Sequence, residues 1–400
     1  MNSRERVCAT LRHEEPDKVP IDLGGMGSTG IMAMAYNRMK NHLGLSTKPT
    51  RISDMQQQLA EIEQEIIDYF QVDVISLENT FSGASNAWEA WRLPDGSPVQ
   101  IHNSQRPVKK GESWVLMDGD RVKAHMPPSC LYFETYNPPL ETATSIRDLE
   151  KYSWPYFTEE KLRQLEEKAK RLFEETDYAI MGNFGGSIVE YAETLRGWSS
   201  FMLDLVANPD FATALMDKLA DMHLKNLEGY LQAVGPYIQI IQMGDDLGTQ
   251  DGPQFSPDIY RALIQPYHKK LYQEVKQSSD IFVFFHSCGS VYDFMPDLID
   301  AGIDILNPVQ FTAAKMDSLK LKKEFGDQIT YWGGGVDTQQ LLPNGTPQDI
   351  ARQVENQIKI FAPGGGFVFA AVHNIQSNVP VENILALYET ANKTGVYHAV

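Results

Sequence analysis

Short apolar runs, rich in β-branched and aromatic residues, alternate along this chain with longer amphipathic stretches. Eight such runs stand out, at 19–23, 72–77, 179–184, 238–243, 281–285, 305–309, 329–332 and 366–372. A run that is apolar on successive positions, closed by turn residues, predicts a strand buried on both faces, as in a parallel sheet. The intervening stretches carry helix-start signals. Ser256-Pro257 and Thr346-Pro347 each place a capping residue before a proline at the first helical position, and the stretch from Val381 follows Pro380. Eight strands alternating with helices predict an α/β fold, a (β/α)8 TIM barrel. The alternation breaks once, at 87–153. There Asp95-Gly96 predicts a hairpin turn after Trp91-Arg92-Leu93, and Pro107, Pro127, Pro128, Pro138 and Pro139 exclude a long helix. This segment is expected to be a β-rich insertion after the second strand that caps the barrel, within a single domain spanning 1–400.

Composition narrows the partners. Against 35 Lys and Arg stand 53 Asp and Glu, a formal charge of -18 over 400 residues, and such a surface repels nucleic-acid phosphates and anionic lipids. No stretch reaches the roughly 18 consecutive apolar residues of a membrane span, and the N-terminus lacks an apolar signal core. A cytoplasmic protein without nucleic-acid or membrane partners is expected. The three cysteines, Cys8, Cys130 and Cys288, are too few and scattered for a disulfide framework, which leaves Cys288 free for chemistry.

In a barrel the active site forms at the C-terminal ends of the strands, and here those positions are polar. Asp245, Asp246 and Gln250 follow the fourth run, His286 and Cys288 the fifth, Asn307 and Gln310 close the sixth, and His373, Asn374 and Gln376 the eighth. His286 and Cys288, two residues apart at a strand end, point to the same side. With His373 they make a nitrogen and sulfur donor set suited to Zn2+, with one position left for substrate. Asp245 and Asp246 are candidate partners of the ligands or a displaceable fourth ligand, and read equally well as a helix cap and a solvated carboxylate. Glu190 and Glu193, after Gly185-Gly186-Ser187, fit helix-dipole compensation as well as catalysis. The glycine runs at 333–335 and 364–366 match no phosphate-loop spacing and are read as close backbone packing. His13, His42, His102, His125, His223, His268 and His398 have no ligand-type neighbours at metal spacing and are read as surface or capping residues.

Arg4-Glu5-Arg6 followed by Glu15-Pro16-Asp17-Lys18-Val19-Pro20, the turn His286-Ser287-Cys288-Gly289, and the closing Val379-Pro380-Val381-Glu382-Asn383-Ile384 resemble the uroporphyrinogen decarboxylase superfamily along nearly the whole chain. Within it, the chain is similar to the corrinoid-dependent methyltransferase branch. The decarboxylases' N-terminal Arg-Gln-Ala-Gly-Arg segment is absent, its place taken by Asp22-Leu23-Gly24-Gly25-Met26, and those enzymes lack a His-x-Cys pair. Thiol-methylating zinc enzymes of the branch carry a later cysteine shortly before Pro-x-Glu-Asn-Ile, and at that position this chain has His373.

One thiolate with two imidazoles leaves bound zinc near +1, a stronger Lewis acid than the nearly neutral two-thiolate site. The resemblance therefore implies a zinc-dependent methyltransferase, an O-demethylase component. It would move a methyl group from a small methoxylated, aromatic donor to cob(I)alamin, the corrinoid cofactor of a partner protein. His286, Cys288 and His373 would hold the metal, with Asp245, Asp246 and Glu190 catalytic. Asn374, Gln310, Gln250 and Gln376 would bind substrate, in a monomer or homodimer. Transfer in the opposite direction, from methylcorrinoid to a thiol or tetrahydrofolate, stays open, as does a metal-free decarboxylase or tetrapyrrole-binding protein.

Overall fold

Seven parallel strands form one curved sheet, paired in chain order: β1 (Val74–Ser76), β2 (Ala179–Gly185), β3 (Ile240–Gly244), β4 (Phe282–His286), β5 (Ile305–Asn307), β6 (Thr330–Trp332) and β7 (Phe367–Val368). The computed structural model describes residues 1–45, 48–82 and 87–397, so His398 lies outside the described residues. The apolar run at 19–23 closes the sheet as the eighth stave. On one side Phe369 N–H donates to the Pro20 carbonyl at 2.8 Å, and Asp22 N–H to the Phe369 carbonyl at 2.9 Å. On the other, Asp73 N–H donates to the Ile21 carbonyl at 2.8 Å. The architecture is a (β/α)8 barrel.

Strand alternation sorts the apolar runs into two cores. Met181, Ile240, Phe284, Ile305, Trp332 and Val368 fill the barrel interior, joined by Val7 and Leu11 from the helix Ser3–Leu11, which covers the end where the strands begin. Ile180, Ile241, Val283, Phe285, Leu306 and Tyr331 face outward against the helices. Both sets are buried, which is why the runs are continuously apolar.

The connectors follow their local signals. Thr346 and Asp349 form a capping box at the start of helix Pro347–Phe361, and Ser256 Oγ accepts from Ile259 N–H at 3.3 Å. Past Ser256 the helix runs through a π-helical turn, Tyr260–Ile264, into Gln265–Ser278. Pro266 has no N–H for the regular ladder, and the wider turn absorbs the missing bond.

Between β1 and β2 the chain forms antiparallel strands. Trp88–Arg92 and Pro98–His102 make a hairpin turning at Asp95-Gly96, where Gly96 adopts φ +82°. Val108–Lys110, Ser113–Asp118, Arg121–Met126 and Glu134–Thr135 make a second sheet. The hairpin sheet also recruits Thr50–Asp54, paired in parallel with Pro98–His102, from before β1. Among the described residues, no helix is long and apolar enough to cross a membrane.

Candidate metal centre at the barrel mouth

The register of the sheet brings the polar strand ends to one level. Gly244 pairs with His286, and His286 with Asn307, so Asp246, His286 and Cys288 emerge side by side although 40 residues separate the first two. Their donor atoms all lie within 4.8 Å of one another. Cys288 Sγ is 3.5 Å from His286 Nε2, and Asp246 Oδ1 is 3.7 Å from the same nitrogen. The ring of His373, arriving from the loop after β7, has its centroid 6.5 Å from that of His286. Ser287, pointing the other way, anchors the turn: its N–H donates to the Asn307 carbonyl at 2.7 Å and its Oγ accepts from Leu247 N–H at 2.9 Å. Gly289 adopts φ +81°, and a Cβ there would come within 2.6 Å of the Gly248 backbone. Only glycine admits the two loops that close together.

Hydrogen bonds fix the donor atoms. His286 Nδ1–H donates to Asn307 Oδ1 at 2.7 Å, which leaves Nε2 free toward Cys288 and Asp246. Asn307 is fully buried and held by Ser28 Oγ at 3.0 Å and, through its amide N–H, by the Trp332 carbonyl at 3.0 Å. Asp246 Oδ1 accepts from Cys288 N–H at 2.7 Å. Asp245 faces away from the mouth. It accepts from the backbone N–H groups of Ile188, Val189 and Glu190 at 2.8, 3.0 and 2.9 Å, capping helix Val189–Arg196 from another loop, and from His268 Nε2–H at 2.7 Å. His268, expected at the surface, is buried against Asp245 and Tyr260, and His223 is buried as well. The helix spacing His268, Leu271, Tyr272, Val275 is the signal that places His268 on a buried face.

The electrostatics are those of an acidic pocket. Burial, then the charges of Asp246 and Asp245, push the Glu190 carboxyl well above its ordinary range. The same causes push Glu193 up to about 8, and its Oε1 is buried without a hydrogen-bond partner. Burial and the carboxylates of Asp246 and Glu190 raise the Cys288 thiol, while burial and the neighbouring His286 lower His373 to about 4. A bound cation would reverse the shifts of Glu190, Glu193 and Cys288, and it would favour the same neutral form of His373 that burial already favours. The His286 imidazole, the Cys288 thiol and the Asp246 carboxylate converge as a donor set that fits a zinc ion, whereas the predicted ligand His373 stands outside that cluster, its ring 6.5 Å from that of His286.

Above the donors lies a cavity of about 830 Å³ bounded by Cys288 and His373 and walled on one side by Leu131 and Tyr132 of the inserted segment. Gln250, Gln310, Asn374 and Gln376 all line it. Gln310 bridges loops, accepting from Gly289 N–H at 2.8 Å and donating to Gln250 Oε1 at 2.9 Å. Asn374 donates to Gln57 Oε1 at 2.5 Å and accepts from Gln376 and, at 3.5 Å, from Tyr132 Oη. The amides are thus tied into a network before any substrate arrives. Asp22, where the decarboxylases carry their arginine segment, is fully buried, bonds to Trp332 Nε1 at 2.8 Å and is pushed by burial up to about 6. It serves packing. Gly335 likewise packs, since a Cβ there would come within 2.3 Å of the Phe369 ring.

A family model described as uroporphyrinogen decarboxylase (URO-D) matches residues 131–394. A uroporphyrinogen decarboxylase of Coxiella burnetii is 23% identical over 196 residues, 48% of this chain and 50% of that protein. A methylated-thiol–coenzyme M methyltransferase of Methanosarcina mazei is 22% identical over 220 residues, 55% of this chain and 52% of that protein. The chain therefore spans about half the length of the curated relatives it matches. Among solved structures, a methyltransferase from Methanosarcina mazei superposes with a TM-score of 0.60 at 18% identity, over 98% of this chain and 99% of that one, and so shares the fold.

Proposed function

The chain belongs to the uroporphyrinogen decarboxylase family, and from that premise we propose that it is a methyltransferase moving a methyl group from a small methoxylated, aromatic donor to cob(I)alamin on a corrinoid protein. The observation that carries this reading is the convergence of the Asp246, His286 and Cys288 donor atoms, with His373 beside them, at the open end of the barrel. His286, Cys288 and His373 would hold zinc, with Asp246 the carboxylate that gives way to substrate. Zinc bound there supplies a Lewis acid for the ether oxygen of the donor.

The chain's own groups do the rest. Asn307 fixes the His286 ring so that only Nε2 faces the centre. Asp245 pins the helix that carries Glu190 and Glu193, whose carboxyls lie close enough to Asp246 to feel its charge. The C–O pair stays on oxygen as methyl passes to cobalt, and the oxygen takes up one proton to leave as a hydroxyl. Asn374, Gln376, Gln250 and Gln310 line the space where the rest of the donor would lie, and the Tyr132 ring offers it a flat neighbour.

Metal content by mass spectrometry, with methyl transfer to free cob(I)alamin as second readout, tests the scheme. One zinc per chain is expected, lost in His286→Ala and reduced in His373→Ala. Cys288→Ser is expected to slow transfer by about a thousandfold or more, on the scale of removing a principal catalytic group. A Cys288→Ser protein with full zinc and full activity would overturn the proposal. Zinc unchanged in His373→Ala but lost in Asp246→Asn would move the third ligand to Asp246.

A further inference from the structure

Among the described residues, the cavity over the metal donors is walled by uncharged groups apart from the donors Cys288 and His373. Its polar lining is built from amides and hydroxyls, chiefly Gln250, Gln310, Gln339, Asn374, Gln376 and Tyr132, with an apolar wall from Leu131, Pro343 and Val372. Among the described residues that line it, none is Lys, Arg, Asp or Glu. The guanidinium of Arg38, behind the loop after β7, donates to the backbone carbonyls of Ser377 and Val379.

Beneath the cavity the acidic group nearest the donors is Asp246, and the Glu190 and Glu193 carboxyls lie close enough to feel its charge. A divalent cation held by the Cys288 thiolate and imidazoles keeps a charge near +1, and the Asp246 carboxylate beside it brings the sum near zero even when it is displaced from the metal, so metal loading does not turn the site into an anion trap. Carboxylates, phosphates and sulfonates are ordinarily recognised by arginine forks, lysine or a helix N-terminus. An anion entering here would exchange its hydration for neutral amides and meet like charge from below. A neutral molecule with hydroxyl or carbonyl groups would meet matching donors and acceptors.

We propose that this cavity selects uncharged methyl donors, methoxylated rings bearing hydroxyl or amide substituents, and discriminates against the same rings carrying a carboxylate. The proposal rests on the methyltransferase reading and sharpens its direction. A sulfonated thiol or a folate, with its glutamate carboxylates, finds no counter-charge in this cavity, so the uncharged ether is the partner the lining fits.

The test uses a matched pair on the purified full chain, 4-hydroxy-3-methoxybenzamide and 4-hydroxy-3-methoxybenzoate, which differ by one charge at nearly constant shape. Calorimetric titration is expected to show the benzamide bound at least about tenfold more tightly at low salt, the equivalent of about 1.4 kcal/mol, with the gap narrowing at high salt as repulsion is screened. Asn378→Lys, at the exposed rim, is expected to narrow the gap by strengthening benzoate binding alone. Benzoate bound as tightly as benzamide, or more so, would overturn this inference while leaving the methyltransferase reading in place if either compound is demethylated. Binding and demethylation of neither would overturn both.

Discussion

Asp73, just before β1, and Asp246, just after β3, are acidic groups at opposite ends of one barrel, and their surroundings differ in kind. Asp73 is buried and fully satisfied: Arg6 Nη1 donates to Oδ1 at 2.5 Å, Ser3 Oγ at 2.7 Å, and Ile21 N–H to Oδ2 at 2.9 Å. Arg6 also grips Asp17 through Nε and Nη2 at 2.7 and 2.8 Å, so one guanidinium closes the end of the barrel where the strands begin. At the mouth, Asp246 has no arginine beside it among the described residues: its neighbours are the Glu190 and Glu193 carboxyls and His286, whose Nε2 lies 3.7 Å from its Oδ1. The closed end spends its polar groups on holding the fold together. The open end gathers acids without an arginine or lysine among the cluster of Asp246, His286 and Cys288, which is what a site awaiting a cation needs.

That contrast breaks first at Arg6. Arg6→Ala leaves the Asp73 carboxylate buried without its cation, and a loss of about 3–5 kcal/mol in urea-unfolding free energy is expected. Adding Asp73→Asn should recover part of it. A loss below about 1 kcal/mol would show that the closed end is no more tightly paired than a surface bridge.

The second prediction concerns pH and has opposite signs at the two ends. Glu193 is raised to about 8 in the folded protein against about 4.3 in an unfolded chain. The metal-free folded state therefore holds a proton there that the unfolded chain has released, and stability falls as pH rises from about 4 to about 8. Glu193→Gln is expected to flatten that slope, measured by urea unfolding of chelator-treated protein across the window. An unchanged slope would mean that the acids at the mouth are already compensated.

The smallest effect is expected at Asp17. Its hydrogen bond to Arg6 holds its carboxyl well below the usual range, so its contribution is present above the unfolded value of about 4 and fades as pH falls. Because Asp17 is nearly half exposed, Asp17→Asn should cost less than about 1 kcal/mol at neutral pH. It should leave stability near pH 3 almost unchanged, and an equal loss at both pH values would assign the effect to packing.

Much of the barrel was legible because parallel strands are buried on both faces. Ile180 and Met181 are neighbours in sequence, one packed against helices and one inside the barrel, so the run reads as uninterrupted hydrophobicity. Strand exits that turn polar, as at His286 and Cys288, were legible for the same reason. The pairing of Thr50–Asp54 with Pro98–His102 left no such mark, since a short half-buried strand does not encode a distant partner. His268 was misread because a lone histidine looks polar until its helical neighbours are counted. Asn307, the acceptor that orients His286, stood among the polar strand ends without anything to assign its role.

The sequence by itself determined which segments supply the barrel staves and that a thiol and an imidazole face the same way, because those follow from local hydrophobicity and the two-residue repeat of a strand. The strands at 305–307 and 367–368 stop short of the apolar runs at 305–309 and 366–372. Only the tertiary structure decided that Asp246 reaches His286, that Asp245 turns aside to cap a helix, and that the described residues lining the cavity above them include no Lys, Arg, Asp or Glu. Such choices depend on the register between strands and on charges acting through space, and neither is written in the order of residues along the chain.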